Sequence, residues 1–125
     1  MASRELWSYE RIRQLHIRER GSRAPVRLTR GLYQDMLGFF SDLHGQYQEA
    51  RRRDPNSQES MLLEEEYLKV RRIIKELYEC RERKILLMAL SRARGESIDT
   101  TPLTPDEEGL LPDPLDMLNR HRRGT

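Results

Sequence analysis

The side chains of this 125-residue chain that could do chemistry are His16, His44, His121, Cys80 and the acidic run Glu64-Glu65-Glu66. Each chemistry they suggest needs a spacing that is absent. The histidines fall in separate segments, without the short separations to Cys or to one another that a zinc site requires. Cys80 has no His near it in sequence and reads as a small core residue rather than a nucleophile. Consecutive positions of a helix point in different directions, so Glu64 to Glu66 do not converge on an ion. They read as surface charge favoured by the positive pole at the start of a helix. No glycine-rich phosphate loop, nucleophile elbow or paired-carboxylate pattern appears. The residues predict no enzyme, no metal, no cofactor and no small-molecule substrate.

The dominant pattern is a helix. Met61 to Glu96 contains a single glycine, at its end, and no proline, and at 1.5 Å per residue it would be roughly 50 Å long. Apolar residues recur in steps of four and three at Leu63, Tyr67, Val70, Ile74 and Leu77, then Arg81 and Lys84 interrupt, then Met88 follows. Such length in so small a chain predicts that much of this helix packs against another chain. The expected interface is Tyr67, Val70, Ile74, Leu77, Arg81, Lys84, Ile85 and Met88. Two readings of the interruption stand side by side. Arg81, paired with a Glu such as Glu76 or Glu79 of a neighbouring helix, fixes register and partner. Alternatively the stripe rotates and Arg81, Arg83 and Lys84 stay in water, with Glu79 and Arg83 forming an ordinary pair one turn apart.

Shorter helices flank it. Ser3 to Arg20 reads as one, with Leu6, Tyr9, Ile12 and His16 on one side and Gly21-Ser22 closing it. Thr29 is a plausible N-cap for a second, running to about Arg53, whose apolar face is Leu32, Met36, Phe39 or Phe40, Leu43 and Tyr47. Gly38 and Gly45 weaken that helix by about 1 kcal/mol each relative to Ala, which predicts a closely packed neighbour there. Ser57 or Ser60 caps the long helix and Gly95 stops it. Thr104-Pro105-Asp106-Glu107 combines an N-cap, Pro at the first helical position and an acid three residues after the cap, so a short helix follows through Leu111 and a last piece covers Leu115 to Arg120. Trp7, Tyr9 and Tyr33 are either core residues or interface anchors. The fold class is all-α, a helical bundle built around one long central helix, with short C-terminal helices.

Charge is uneven although the net is only +2. Residues 1–30 hold eight Arg against three acids, and residues 54–79 hold four basic residues against seven acids. An Arg-rich first segment, the triplet Arg51, Arg52 and Arg53, and the tail Arg120, Arg122 and Arg123 support an alternative reading as a helical nucleic-acid-binding module, since phosphate contacts need only such charges. Against it, no compact helix-turn-helix, zinc finger or aromatic single-strand platform is visible. No apolar run approaches a membrane span and no signal-peptide pattern opens the chain. The lone cysteine fits a reducing cytoplasmic setting.

The run from Ile73 to Leu90, with Glu79-Cys80-Arg81-Glu82-Arg83-Lys84-Ile85 at its centre, resembles archaeal GINS subunits, in which a long helix carries an E-x-R-x-x-K-I type segment followed by an apolar stretch. Leu103-Thr104-Pro105-Asp106-Glu107-Glu108 resembles the leucine, threonine and acidic pair that open that family's next helix. Tyr9-Glu10-Arg11-Ile12-Arg13 and Leu32-Tyr33 sit where the family places its first helix and a start-of-helix aromatic. The resemblance covers most of residues 4–111. It implies a helical A-like domain over residues 1–111 and a C-terminal helix or linker over 112–125, leading toward a small β-rich B domain that is missing. It also implies a non-enzymatic scaffold of the replication fork. Such a scaffold joins other GINS subunits in a homo- or hetero-tetramer, contacts the MCM helicase and a RecJ-like nuclease homologue, and works in the cytoplasm at the nucleoid, with possible weak DNA contact.

Overall fold

The computed structural model describes residues 7–28, 30–104 and Glu107. Among them the fold is all-helical, with no strand and three helices: α1, Tyr9–Arg20; α2, Arg30–Arg53; and α3, Gln58–Ala93. The short C-terminal helices expected after Glu107, the expected cap Thr29, and residues 3–6 of the first expected helix lie outside the described residues.

Local chemistry sets the helix boundaries. The first helix starts later than its apolar pattern suggests. Ser8 is extended (φ −157°, ψ 166°) and its hydroxyl accepts from the Arg11 backbone N–H, so it caps α1 and leaves Trp7 outside. Ser57, rather than Ser60, caps α3 by accepting from the Ser60 N–H at 3.0 Å. Asp54 organises the loop before it, its carboxylate accepting from the Asn56 N–H at 3.0 Å. At the far end Gly95 takes φ +86°, where a Cβ is disfavoured. The Gly95 N–H donates to the Arg92 carbonyl and the Glu96 N–H to the Ser91 carbonyl, both at 3.0 Å, which is a Schellman stop.

Both short helices pack on α3. Contacts pair Tyr33 with Tyr78, Phe40 and His44 with Tyr67, and Tyr47 with Glu64, so α2 runs antiparallel to α3. On another side Tyr9 lies under Lys69, His16 beside Glu76, and Glu19 against Arg81 and Lys84, so α1 runs parallel to it. The core is Trp7, Ile12, Met36, Leu43, Val70, Ile73, Ile74 and Leu77. Trp7 is core rather than an interface anchor, and Tyr9 and Tyr33 pack half-buried against it.

The centre of the heptad stripe of α3, Val70, Ile74 and Leu77, is therefore covered by its own chain rather than by a second one, while Leu63, Tyr67 and Met88 stay half-buried. The close neighbour expected at Gly45 is also absent, since a Cβ there would meet nothing within 4 Å.

Candidate functional site

Among the described residues Arg81 is the largest of the fully buried side chains, at 1% exposure. It projects from α3 where the apolar stripe breaks, and three stretches of chain converge on it. From the C-terminal turn of α1 comes Glu19, itself buried. Glu19 shares a face with Ile12 and His16 at helical spacing. From the connector after α1 comes the carbonyl of Val26. From the segment after α3 come the Pro102 carbonyl and Glu107.

The geometry uses every donor of the guanidinium, which has five. Nε and Nη2 donate to the two carboxylate oxygens of Glu107, both at 2.7 Å, in a bidentate fork. Nη1 donates to Glu19 Oε1 and to the Val26 carbonyl, both at 2.6 Å. Nη2 also reaches the Pro102 carbonyl at 3.4 Å. Lys84, one turn on, donates to Glu19 Oε2 at 2.7 Å, to the Glu19 carbonyl, and to the Ala24 carbonyl at 3.3 Å. The Val26 N–H donates to Glu19 Oε2 at 3.0 Å. Two cations thus face two carboxylates.

Glu107 is held by a capping box. The Thr104 N–H donates to Glu107 Oε1 at 3.0 Å, and the Glu107 N–H donates to Thr104 Oγ1 at 3.3 Å. The Thr-x-x-Glu signal in the sequence is therefore realised, and its acid also serves Arg81. Burial alone would raise the Glu107 pKa, but the Arg81 hydrogen bonds, the Thr104 N–H and the Arg81 charge outweigh burial and hold it below the usual carboxylate range. For Arg81 burial pulls the pKa down, and the Glu107 and Glu19 contacts win and raise it. Both groups stay charged near neutral pH. With every donor matched and both carboxylates engaged, the cluster offers no free base, acid or open ligand position. It ties chain segments together.

The residues expected to form an interface are placed differently. Val70, Ile74, Leu77, Arg81 and Ile85 are buried within this chain, and Tyr67, Lys84 and Met88 are half-buried. Arg81 pairs with Glu19 and Glu107 of its own chain, so its expected partners Glu76 and Glu79 are corrected, as is the reading that Arg81 lies in water; Arg83 is the exposed member of the trio. Glu19 went unnoticed in the sequence. Its signal was an acid at the 12–16–19 spacing of an apolar face, beside the negative pole of a helix end where carboxylates are disfavoured.

Other candidate residues stay apart. Cys80 is buried and His16 is buried, 3.9 Å from Glu76. Among the described residues no group of three or more His, Cys, Asp or Glu could hold a metal, and no helix is long and apolar enough to cross a membrane. Arg51, Arg52 and Arg53 are exposed in the last turn of α2, but Arg52 pairs with Glu49 and Arg53 with Glu59, which blunts the triplet as a phosphate site. Arg120, Arg122 and Arg123 lie outside the described residues. A cleft of about 730 Å³ opens between α2, α3 and the Thr104 turn. Its Tyr78 phenol is pushed up by burial and then by the Glu107 charge.

No protein-family model, curated protein or solved structure matches this chain.

Proposed function

We propose that this chain is a non-enzymatic assembly subunit of the GINS type, a helical A-like domain that joins further subunits and links the MCM helicase to a RecJ-like protein at the replication fork. What supports the reading is a convergence. The two stretches that carry the resemblance, Glu79 to Ile85 and Leu103 to Glu108, lie far apart in sequence, and the Arg81–Glu107 fork makes them a single contact.

The test is affinity capture of the chain from its native cells, with nuclease treatment and mass spectrometry of what is bound. Recovery of a second GINS subunit, the helicase or the RecJ-like protein after nuclease treatment is the expected result. Recovery of none of them, with binding lost on nuclease treatment, would replace the scaffold by a nucleic-acid-binding module.

A further inference from the structure

Among the described residues, α1 and α2 leave one face of α3 exposed from end to end. Its two ends are apolar. Met61 and Leu62 are each 57% exposed and Leu68 47% at the N-terminal end, and Leu86 is 55%, Leu87 58% and Leu90 40% exposed at the C-terminal end. The middle is charged, and the charges have an order. Glu65, Lys69 and Arg72 read minus, plus, plus; Glu76, Glu79 and Arg83 read minus, minus, plus. At about 100° per residue all of these positions lie within roughly 60° of a single line down the helix, opposite the buried stripe.

Among closed two-fold arrangements, that order is complementary to itself when one copy is reversed. Placed antiparallel about a point near Ile74 and Lys75, Glu65 of one helix comes level, within a turn, with Arg83 of the other, and Arg72 with Glu76 and Glu79. Met61 and Leu62 come level with Leu86, Leu87 and Leu90. Placed parallel and in register, Glu65 meets Glu65, Arg72 meets Arg72 and Arg83 meets Arg83, which is repulsive throughout. Lys69 and Glu76 also touch α1, through Tyr9 and His16. Glu65, Arg72, Glu79 and Arg83 have no ion-pair partner among the described residues.

We infer that this outward face of α3 docks a second copy of the chain, antiparallel, about a two-fold axis near the middle of the helix. A two-fold contact uses the same patch on both partners, so each favourable pairing occurs twice. Exposed leucines at both ends supply apolar burial, and the central charges set direction and register, as they do in paired helices generally. The inference rests on the assembly reading above and adds its surface, partner and symmetry.

The experiment is sedimentation equilibrium of the full chain over a wide concentration range, with four variants. The unmodified chain forms a dimer or a multiple of one. Leu87→Asp abolishes it, with helicity unchanged because the side chain is exposed. Glu65→Arg and Arg83→Glu each raise the dissociation constant by roughly tenfold, the two-fold axis doubling every change, and the two combined restore it. Dimerisation that survives Leu87→Asp, or a combined variant no better than either single one, overturns the inference. So does an unmodified chain that stays monomeric. Self-contact is not needed for hetero-assembly, so the capture experiment judges the replication reading whatever happens here.

Discussion

A guanidinium removed from water is stabilising only if its charge and its geometry are both answered, because the cost of desolvating an ion can exceed what its partners return. Arg81 meets that condition through the bidentate fork of Glu107, the Glu19 carboxylate and two backbone carbonyls. Arg81→Ala leaves two carboxylates buried around one remaining cation, Lys84, and should cost about 3–5 kcal/mol, measured by urea unfolding. Arg81→Lys keeps the charge but offers three donors from a single nitrogen, so it cannot span Glu107 and Glu19 together, and it should lose stability with the same sign. The pH dependence follows from Glu107. Its folded pKa lies below the ordinary value of about 4.3, so its contribution is fully present above that value and is lost as pH falls through the folded one. The urea midpoint should therefore decline below about pH 4, with a shallower acid decline in Glu107→Gln. The sequence made Arg81 conspicuous as a charge inside an apolar stripe. It did not name the partners, because a buried cation can be answered by any carboxylate that tertiary packing brings within reach, and Glu19 is 62 residues away.

At the scale of the helices the legible signals were those settled within four or five residues. Ser57, Gly95 and the Thr104–Glu107 pair each do what their types suggest, since caps and stops are local hydrogen-bonding problems. Ser57→Ala should cost about 1 kcal/mol by thermal or urea unfolding. Length and glycine content, by contrast, do not specify what lies against a helix. The centre of the apolar stripe of α3 is buried under two shorter helices of the same chain, and Gly45 faces open space. A glycine with no packing reason in mid-helix carries only its entropic penalty. Gly45→Ala should therefore stabilise the protein by about 0.5–1 kcal/mol in the same assay, where a close-packed site would have given a loss.

Across the whole molecule, α3 is held at its two ends by different chemistry. Toward its N-terminus Tyr67 stacks with Phe40, His44 and Tyr47, at centroid distances of 5.4, 4.9 and 5.5 Å, and binds α2. Toward its C-terminus the ion cluster gathers α1, the connector after it and the Thr104 turn. Two different chemistries can fail separately, since local opening follows the contacts that hold each region. Glu107→Leu removes the fork but leaves Arg81 buried under the same turn, with Glu19 as its one carboxylate. The segment that the fork secures directly is the turn before Glu107, where the Thr104 N–H donates to Glu107 Oε1, together with Leu28, whose N–H donates to the Pro102 carbonyl. Amide exchange there should accelerate strongly in Glu107→Leu, while amides around Val70 keep most of their protection through the aromatic stack and the core of α2. A uniform acceleration along all of α3 would mean instead that the two ends open as one cooperative unit. The outward face of the helix would then be presented to a partner only by the fully assembled fold.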